Sequence, residues 1–365
     1  MTHKKWALTT ISFFLVILLV LGSITFIVDP LYQYRYDEND NYYLNFKFSC
    51  AGLIKTYPYD SVMLGSSMTQ NFDPDVFEKE MGLDLLKVNM GGMTVPETCF
   101  YLEYINKHSD CKKVFFSVDL QRFAIHPDDA EFNIPEYLVN GYDDDYRYLL
   151  SSEVYTRFLP VDLLIKGLEF ANIDIPSSFE KATDVDEIGS WYEDFSYGEE
   201  IVLDHLQKNG FGAYSIEAEG LETPVDANID LLFETLSSLD KDTEYVLFFP
   251  PYSSLFWVYA KQNGIFETFC DAKERIFELT EKLENVTVFD FHNLELTSDL
   301  GNYRDISHYT KDVNDYLVNC FADGTGIVTD AKQLTENKAG LSEKADATYY
   351  NHKVHIDMYC KIEKK

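Results

Sequence analysis

Residues 6–28, WALTTISFFLVILLVLGSITFIV, carry no charged side chain. As a helix they would extend roughly 34 Å at ~1.5 Å per residue, which matches the hydrocarbon thickness of a bilayer. No other feature constrains the chain as much, because such a run commits the N-terminus to a membrane. His3, Lys4 and Lys5 precede it and Asp29 follows. The positive-inside tendency therefore places the short N-terminus in the cytoplasm and everything after Asp29 outside the cell. A cleaved signal peptide is the competing reading. Its apolar core would span only ~7–15 residues before a small-residue cleavage site, whereas this run is longer and offers only Gly22-Ser23. An uncleaved anchor over residues 1–28 is expected, with the main domain extracytoplasmic on the cell membrane.

The exported remainder of the 365 residues is long enough for one large domain. Hydrophobic residues make up 46% of the chain and aromatics 15%, so a packed core is expected rather than disorder. The formal charge of -32 repels phosphate backbones, which argues against nucleic acid as a partner. Cys50, Cys99, Cys111, Cys270, Cys320 and Cys360 show no C-x-x-C spacing, so zinc and redox motifs are absent.

Five short apolar runs follow the anchor, at residues 60–64, 85–89, 113–118, 244–249 and 286–291. They are rich in Val, Phe and Leu without clean alternation, as expected of strands buried on both faces of a parallel sheet. Helical patterns at 95–108, 266–284 and 310–321 lie between or after them, the first with Pro96 near its start and the last capped by Thr310. Strands alternating with helices predict a doubly wound α/β fold, in which ligands bind beyond the carboxyl ends of the strands. Between strands three and four, residues 121–243 are far longer than a crossover needs and read as an insertion near the site's rim. The domain is expected to cover 29–324, followed by a loosely ordered polar tail, 325–365. The tyrosine-rich stretch after the anchor, DPLYQYRYDENDNYYLNF, suits either the headgroup level or a connector packed on the domain.

The first strand runs into Leu64-Gly65-Ser66-Ser67-Met68-Thr69, with DPDVFEKEM as the helix to follow. This puts a serine at a strand-to-helix turn on the ligand face, where helix N–H groups favour developing negative charge. A serine hydroxyl needs an adjacent base to act as a nucleophile. Asp305-Ile306-Ser307-His308, after the fifth strand, supplies an imidazole with a carboxylate three residues away to steady it. Asp290 and His292, at i and i+2 on strand five, form a rival pair. Asp119 and Arg122 sit just past strand three and suit either substrate orientation or mutual pairing that supports the loop. Pro250-Pro251-Tyr252-Ser253 reads as a rigid exit loop on the same face.

In these blocks the chain resembles the SGNH/GDSL hydrolase superfamily over roughly residues 50–320. Within it the chain is most similar to exported members related to teichoic-acid D-alanyl transfer proteins and polysaccharide O-acetylation factors. The resemblance implies a flavodoxin-like three-layer α/β/α fold with a five-stranded parallel sheet. It implies Ser67 rather than Ser66 as nucleophile, from Gly65-Ser66-Ser67, and Asp305 with His308 from the last block. Asn89-Met90-Gly91-Gly92 corresponds to the block whose glycine amide enters the oxyanion hole. The third block usually brings an asparagine after strand three, whereas this chain has Ser117-Val118-Asp119-Leu120-Gln121-Arg122. The hole is then expected to use the N–H groups of Ser67 and Gly91 or Gly92, with Asn89 or Gln121 as a side-chain donor. The resemblance implies a serine acyltransferase or esterase acting on a cell-envelope glycan or polymer, partnered by a multipass membrane O-acyltransferase, with no metal or organic cofactor. The alternative is a non-catalytic, membrane-tethered binding or assembly partner that kept the fold.

Overall fold

The structure, a computed structural model, describes residues 2–36, 46–174, 185–187, 189–211 and 216–359. Five strands form one wholly parallel sheet: β1 (Ser61–Gly65), β2 (Leu85–Asn89), β3 (Lys113–Ser117), β4 (Glu244–Phe249) and β5 (Val286–Asp290). All five coincide with the apolar runs to within a residue or two. Their order is β2-β1-β3-β4-β5, so the chain reverses its direction of travel across the sheet between β1 and β3. The loops after those two strands flank the crevice where such sheets take their ligands.

In chain order the helices are α1 (His3–Val28), α2 (Phe46–Thr56), α3 (Pro74–Met81), α4 (Val95–His108) and the single turn α5 (Leu120–Phe123). Two further short turns, α6 (Glu136–Val139) and α7 (Tyr146–Leu149), lead to α8 (Leu159–Phe170) and α9 (Glu199–Asn209). The remainder are α10 (Glu222–Ser238), α11 (Ser254–Asn263), α12 (Phe266–Thr280), α13 (Lys311–Asp323), α14 (Ala331–Asn351) and α15 (Lys353–Tyr359). Two compact units emerge: Met1–Pro58 with Asn133–Ile188, and Tyr59–Phe132 with Gly189–Lys365. The stretch 121–243, expected as one insertion, is thus divided. Its middle belongs with the N-terminal helix and its ends with the sheet.

In the second unit, successive strand residues point to opposite faces. Phe248 meets Phe321 of α13 at a centroid distance of 5.3 Å, while Phe249 lies 5.4 Å from the Lys273 ammonium of α12. Helices therefore cover both faces, α3 with α13 on one and α4, α10 and α12 on the other. Aromatic rings fill the first face, where Phe72, Phe77, Phe115, Phe248 and Phe289 converge on Phe321. Thr310 stands at the N-cap of α13, but its side chain makes no capping hydrogen bond. Thr94 and Glu97 form a reciprocal capping box at the start of α4, with Pro96 in its first turn.

The tail departs from expectation. Its polarity predicts loose order, yet residues 331–351 form α14, with Leu334, Leu341, Ala345 and Thr348 buried along one stripe. That stripe packs on α11, where Thr348 and Ser254 share a 2.7 Å hydrogen bond. A narrow stripe in an otherwise charged helix leaves mean polarity high and conceals the packing face. The five described cysteines are all buried and none of them is in a disulfide.

In the first unit, α1 is a 26-residue helix, long and apolar enough to cross a membrane, with a mean hydropathy of 2.9. The connector after it packs on protein in its described part. Leu31, Tyr32 and Gln33 are buried, and the Asp29 carboxylate accepts the N–H groups of Gln33, Tyr34 and Arg35 at 2.9–3.0 Å. Residues 37–45 of that tyrosine-rich stretch lie outside the described residues.

Candidate active site

The site lies wholly in the second unit, at the carboxyl ends of the strands. Gly65 ends β1 in close quarters, because a Cβ there would collide with the Ser117 hydroxyl and with Thr69. The chain then turns through a single 3-10 turn, Ser67–Thr69. Ser66 caps that turn through its side chain and donates to Asp119 Oδ2 at 3.1 Å, so its hydroxyl is consumed. Ser67 is left facing outward. Ser67 thus lies in the turn between β1 and α3, presented by the short 3-10 turn rather than by α3 itself, which begins at Pro74.

Ser67 Oγ lies 2.9 Å from His308 Nε2, and His308 Nδ1 lies 2.8 Å from Asp305 Oδ2. The Asp305–His308 segment is a tight turn wound around the carboxylate. Asp305 Oδ1 accepts the N–H groups of Ser307 at 2.9 Å and His308 at 2.8 Å. Burial alone would push the Asp305 carboxyl up, but the His308 ring and these N–H donors outweigh it and hold it well below the usual carboxylate range. Asp305 is therefore a fixed negative charge on one ring nitrogen, while the other ring nitrogen meets the serine. This is the nucleophile, base and orienting-acid relation of a serine hydrolase triad.

Residues that carry no motif hold the two turns together. The buried Tyr309 hydroxyl donates to Met68 O at 3.1 Å, tying the histidine turn to the serine turn. Trp191 Nε1 donates to Ser67 O at 3.3 Å, and the indole stands edge-on to the His308 ring at 5.5 Å. Arg304 lies over Phe195 with its guanidinium carbon 3.4 Å from the ring centroid, and 5.5 Å from the Trp191 ring centroid. The Trp191 segment is anchored by its N–H to Asn71 Oδ1 at 2.9 Å and by Ser190, which accepts from the buried Lys87 at 2.8 Å. The Pro250-Pro251 exit loop also braces the site. Ser253 Oγ donates to Ile306 O at 2.6 Å and Tyr303 donates to Pro251 O at 2.8 Å. The sequence marked the Pro250–Ser253 loop, and Tyr309 by its position beside His308; Trp191 lies deep in the long stretch after strand three, where no spacing marks it.

The rival pair does not meet the serine. His292 is fully buried among Phe249, Tyr252 and Trp257. Its Nδ1 lies 3.6 Å from Asp290 Oδ1, too far for a hydrogen bond, and Asp290 is taken by Lys273 at 2.7 Å. Asp119 is likewise a support. One oxygen accepts from Ser66 and the other from Gln121 N–H at 3.2 Å and from the Tyr252 hydroxyl. Asn89 is buried and its amide points to Thr69 O at 3.4 Å, so the expected side-chain donor faces the serine turn's interior.

Arg122 is different. It makes a loose 3.8 Å ion pair with Asp119, and its buried Nε has no acceptor. Its guanidinium lies against Gly92, 3.4 Å from where a Cβ on that residue would be. Gly92 adopts φ +75, a conformation that favours glycine. Arg122, Gln121, Ser67 and His308 line one open cavity of about 660 Å³, which Glu217 and Glu219 also border. That volume is in the range of small-molecule sites. No protein-family model and no curated protein matches the chain.

Proposed function

We propose that the protein is an extracytoplasmic serine acyltransferase or esterase with a flavodoxin-like SGNH-type domain, held on the cell membrane by α1 with its N-terminus in the cytoplasm. The observation that carries this reading is the continuous relay Ser67–His308–Asp305, with heavy-atom separations of 2.9 and 2.8 Å, at the edge of a cavity open to a substrate. Side chains 241 residues apart in sequence meet at hydrogen-bond distance and in the order acyl transfer requires.

In this reading Ser67 Oγ attacks the acyl carbonyl while His308 Nε2 takes its proton, and Asp305 steadies the imidazolium. The resulting oxyanion is received by the N–H of Ser67, the N–H of Gly91 or Gly92, and Arg122, which supplies the side-chain donor in place of the missing asparagine. Collapse expels the first alcohol with the proton from His308 and leaves an ester on Ser67. His308 then activates water or an acceptor hydroxyl to release the acyl group. Glu217 and Glu219 on the cavity border favour a hydroxyl-rich or cationic acceptor over a polyanion. A cell-envelope glycan or polymer fits, with a multipass membrane O-acyltransferase as the supplier of acyl groups.

The test is covalent labelling by a fluorophosphonate, together with release of acyl groups from acylated sugars. The full-length protein in detergent is expected to label at Ser67 and to release ester. Ser67→Ala abolishes both, and His308→Ala slows both. Equal behaviour of wild type and both variants would refute the enzyme reading.

A further inference from the structure

In the first unit, α8 inverts the usual polarity of a surface helix. Leu159, Asp162 and Ile165 face inward, while Pro160, Leu163, Leu164, Gly167 and Phe170 face outward, followed by exposed Ile173. No outward residue is charged. The charges lie elsewhere, with Asp162 buried and joined to Lys166 at 3.3 Å. A helix facing water shows the opposite arrangement. Leu164 is 52% exposed and Phe170 92%, so this apolar face is turned away from the protein.

The position of α8 says what covers that face. Lys166 Nζ donates to Val28 O at 3.4 Å and Arg35 donates to Ile27 O at 3.0 Å, so two cations close the final carbonyls of α1. One turn deeper, Thr25 donates to the Tyr155 hydroxyl at 2.9 Å. Deeper still, Leu149 of α7 lies beside Gly22, its Cβ 3.7 Å from where a Gly22 Cβ would stand. From Gly22 to Val28 is about 9 Å at 1.5 Å per residue. A span of ~20 residues starting at Trp6 ends near Thr25, so α7 and α8 lie beside its last turns. The exposed side chains of α1 at Leu19, Val20 and Ile27 are also uncharged.

We propose that α8, with α7, is a second membrane element. It lies in the boundary between headgroups and acyl chains of the outer leaflet, with Leu163, Leu164 and Phe170 in lipid and Lys166 at the headgroup level. Interfacial helices bury their apolar face ~5–10 Å into this boundary; α7 at Gly22 and Tyr155 at Thr25 stand at that depth, and α8 follows them with Lys166 at Val28 O. The inference rests on α1 being a membrane span.

The test uses full-length protein carrying Cys360→Ser, reconstituted into phosphatidylcholine/phosphatidylglycerol vesicles. An environment-sensitive nitrobenzoxadiazole probe is placed at Leu164→Cys or Phe170→Cys, with Lys241→Cys as the aqueous control. Carbonate-resistant flotation reads α1 by itself. The probes on α8 are expected to emit at shorter wavelength than the control and to be quenched several-fold less by iodide. Lipids bearing a nitroxide near the glycerol end of the chain should quench them more than lipids bearing it near the methyl end. Flotation with full iodide quenching on α8 overturns the proposal while leaving the anchor intact. Protection from both iodide and nitroxide lipids also overturns it, because protein would then cover the face. Failure to float removes the anchor reading and the proposal with it. Circular dichroism of each labelled variant verifies that the helices remain folded.

Discussion

Replacing Asp305 with asparagine separates what this carboxylate does for the fold from what it does for the imidazole. Oδ1 accepts the Ser307 and His308 N–H groups at 2.9 and 2.8 Å, and an amide oxygen in the same place still accepts both. The change from charged to neutral acceptor weakens each bond by on the order of 1 kcal/mol, so stability falls by about 2 kcal/mol and the turn survives. The amide NH2 then occupies the position of Oδ2, 2.8 Å from His308 Nδ1. A donor there forces Nδ1 to accept, which moves the ring proton to Nε2, the nitrogen 2.9 Å from Ser67 Oγ. A protonated Nε2 cannot take the serine proton. The loss in rate should be about 10⁴-fold, equivalent to ~5.5 kcal/mol of transition-state stabilisation. The second-order rate of fluorophosphonate labelling measures it, with thermal unfolding followed in the same samples. If Asp305→Asn labels within a few-fold of wild type while keeping its fold, Asp305 does not set the tautomer and the relay described here is wrong.

Arg122→Ala should slow labelling by roughly 10²–10³-fold, the cost of one oxyanion donor, with Arg122→Lys between it and wild type; unchanged rates for both would remove Arg122 from the oxyanion site. Tyr309→Phe strips the buried Met68 carbonyl of its donor, so a loss of about 1–3 kcal/mol is expected in denaturant unfolding, together with slower labelling as the two turns drift apart. Burial, and then Lys273, hold the His292 ring well below its ordinary pKa. Below pH ~6.5 the unfolded chain therefore takes up a proton that the native state refuses, and stability falls as the pH drops. His292→Phe should lose about 2 kcal/mol less than wild type between pH 6.5 and 5, checked by unfolding at both values. The Asp305 contribution has a different window: it is fully present above the unfolded carboxyl value of ~3.9 and is lost only as the pH falls further.

Period and composition by themselves determined the sheet and the membrane-length helix. A strand buried on both faces must read as a continuous apolar run, and β2 and β4 occupy residues 85–89 and 244–249, where the runs lie. The start of α4 was legible for a local reason too, since Pro96 is tolerated in a helix's first turn and not in its interior. The serine and the Asp305/His308 pair were visible because each sits just past a strand, though nothing in the sequence measured the 2.9 Å between them. Tertiary structure decided the remainder. It chose His308 over His292 by burying the latter in an aromatic cage, and it consumed Asn89 and Asp119 as supports while leaving the Arg122 Nε without a hydrogen-bond acceptor. It also brought Trp191 against a histidine 117 residues later in the chain (308 − 191). Such choices depend on which polar groups find partners across long separations in sequence. Local propensity and hydrophobic period carry no information about that.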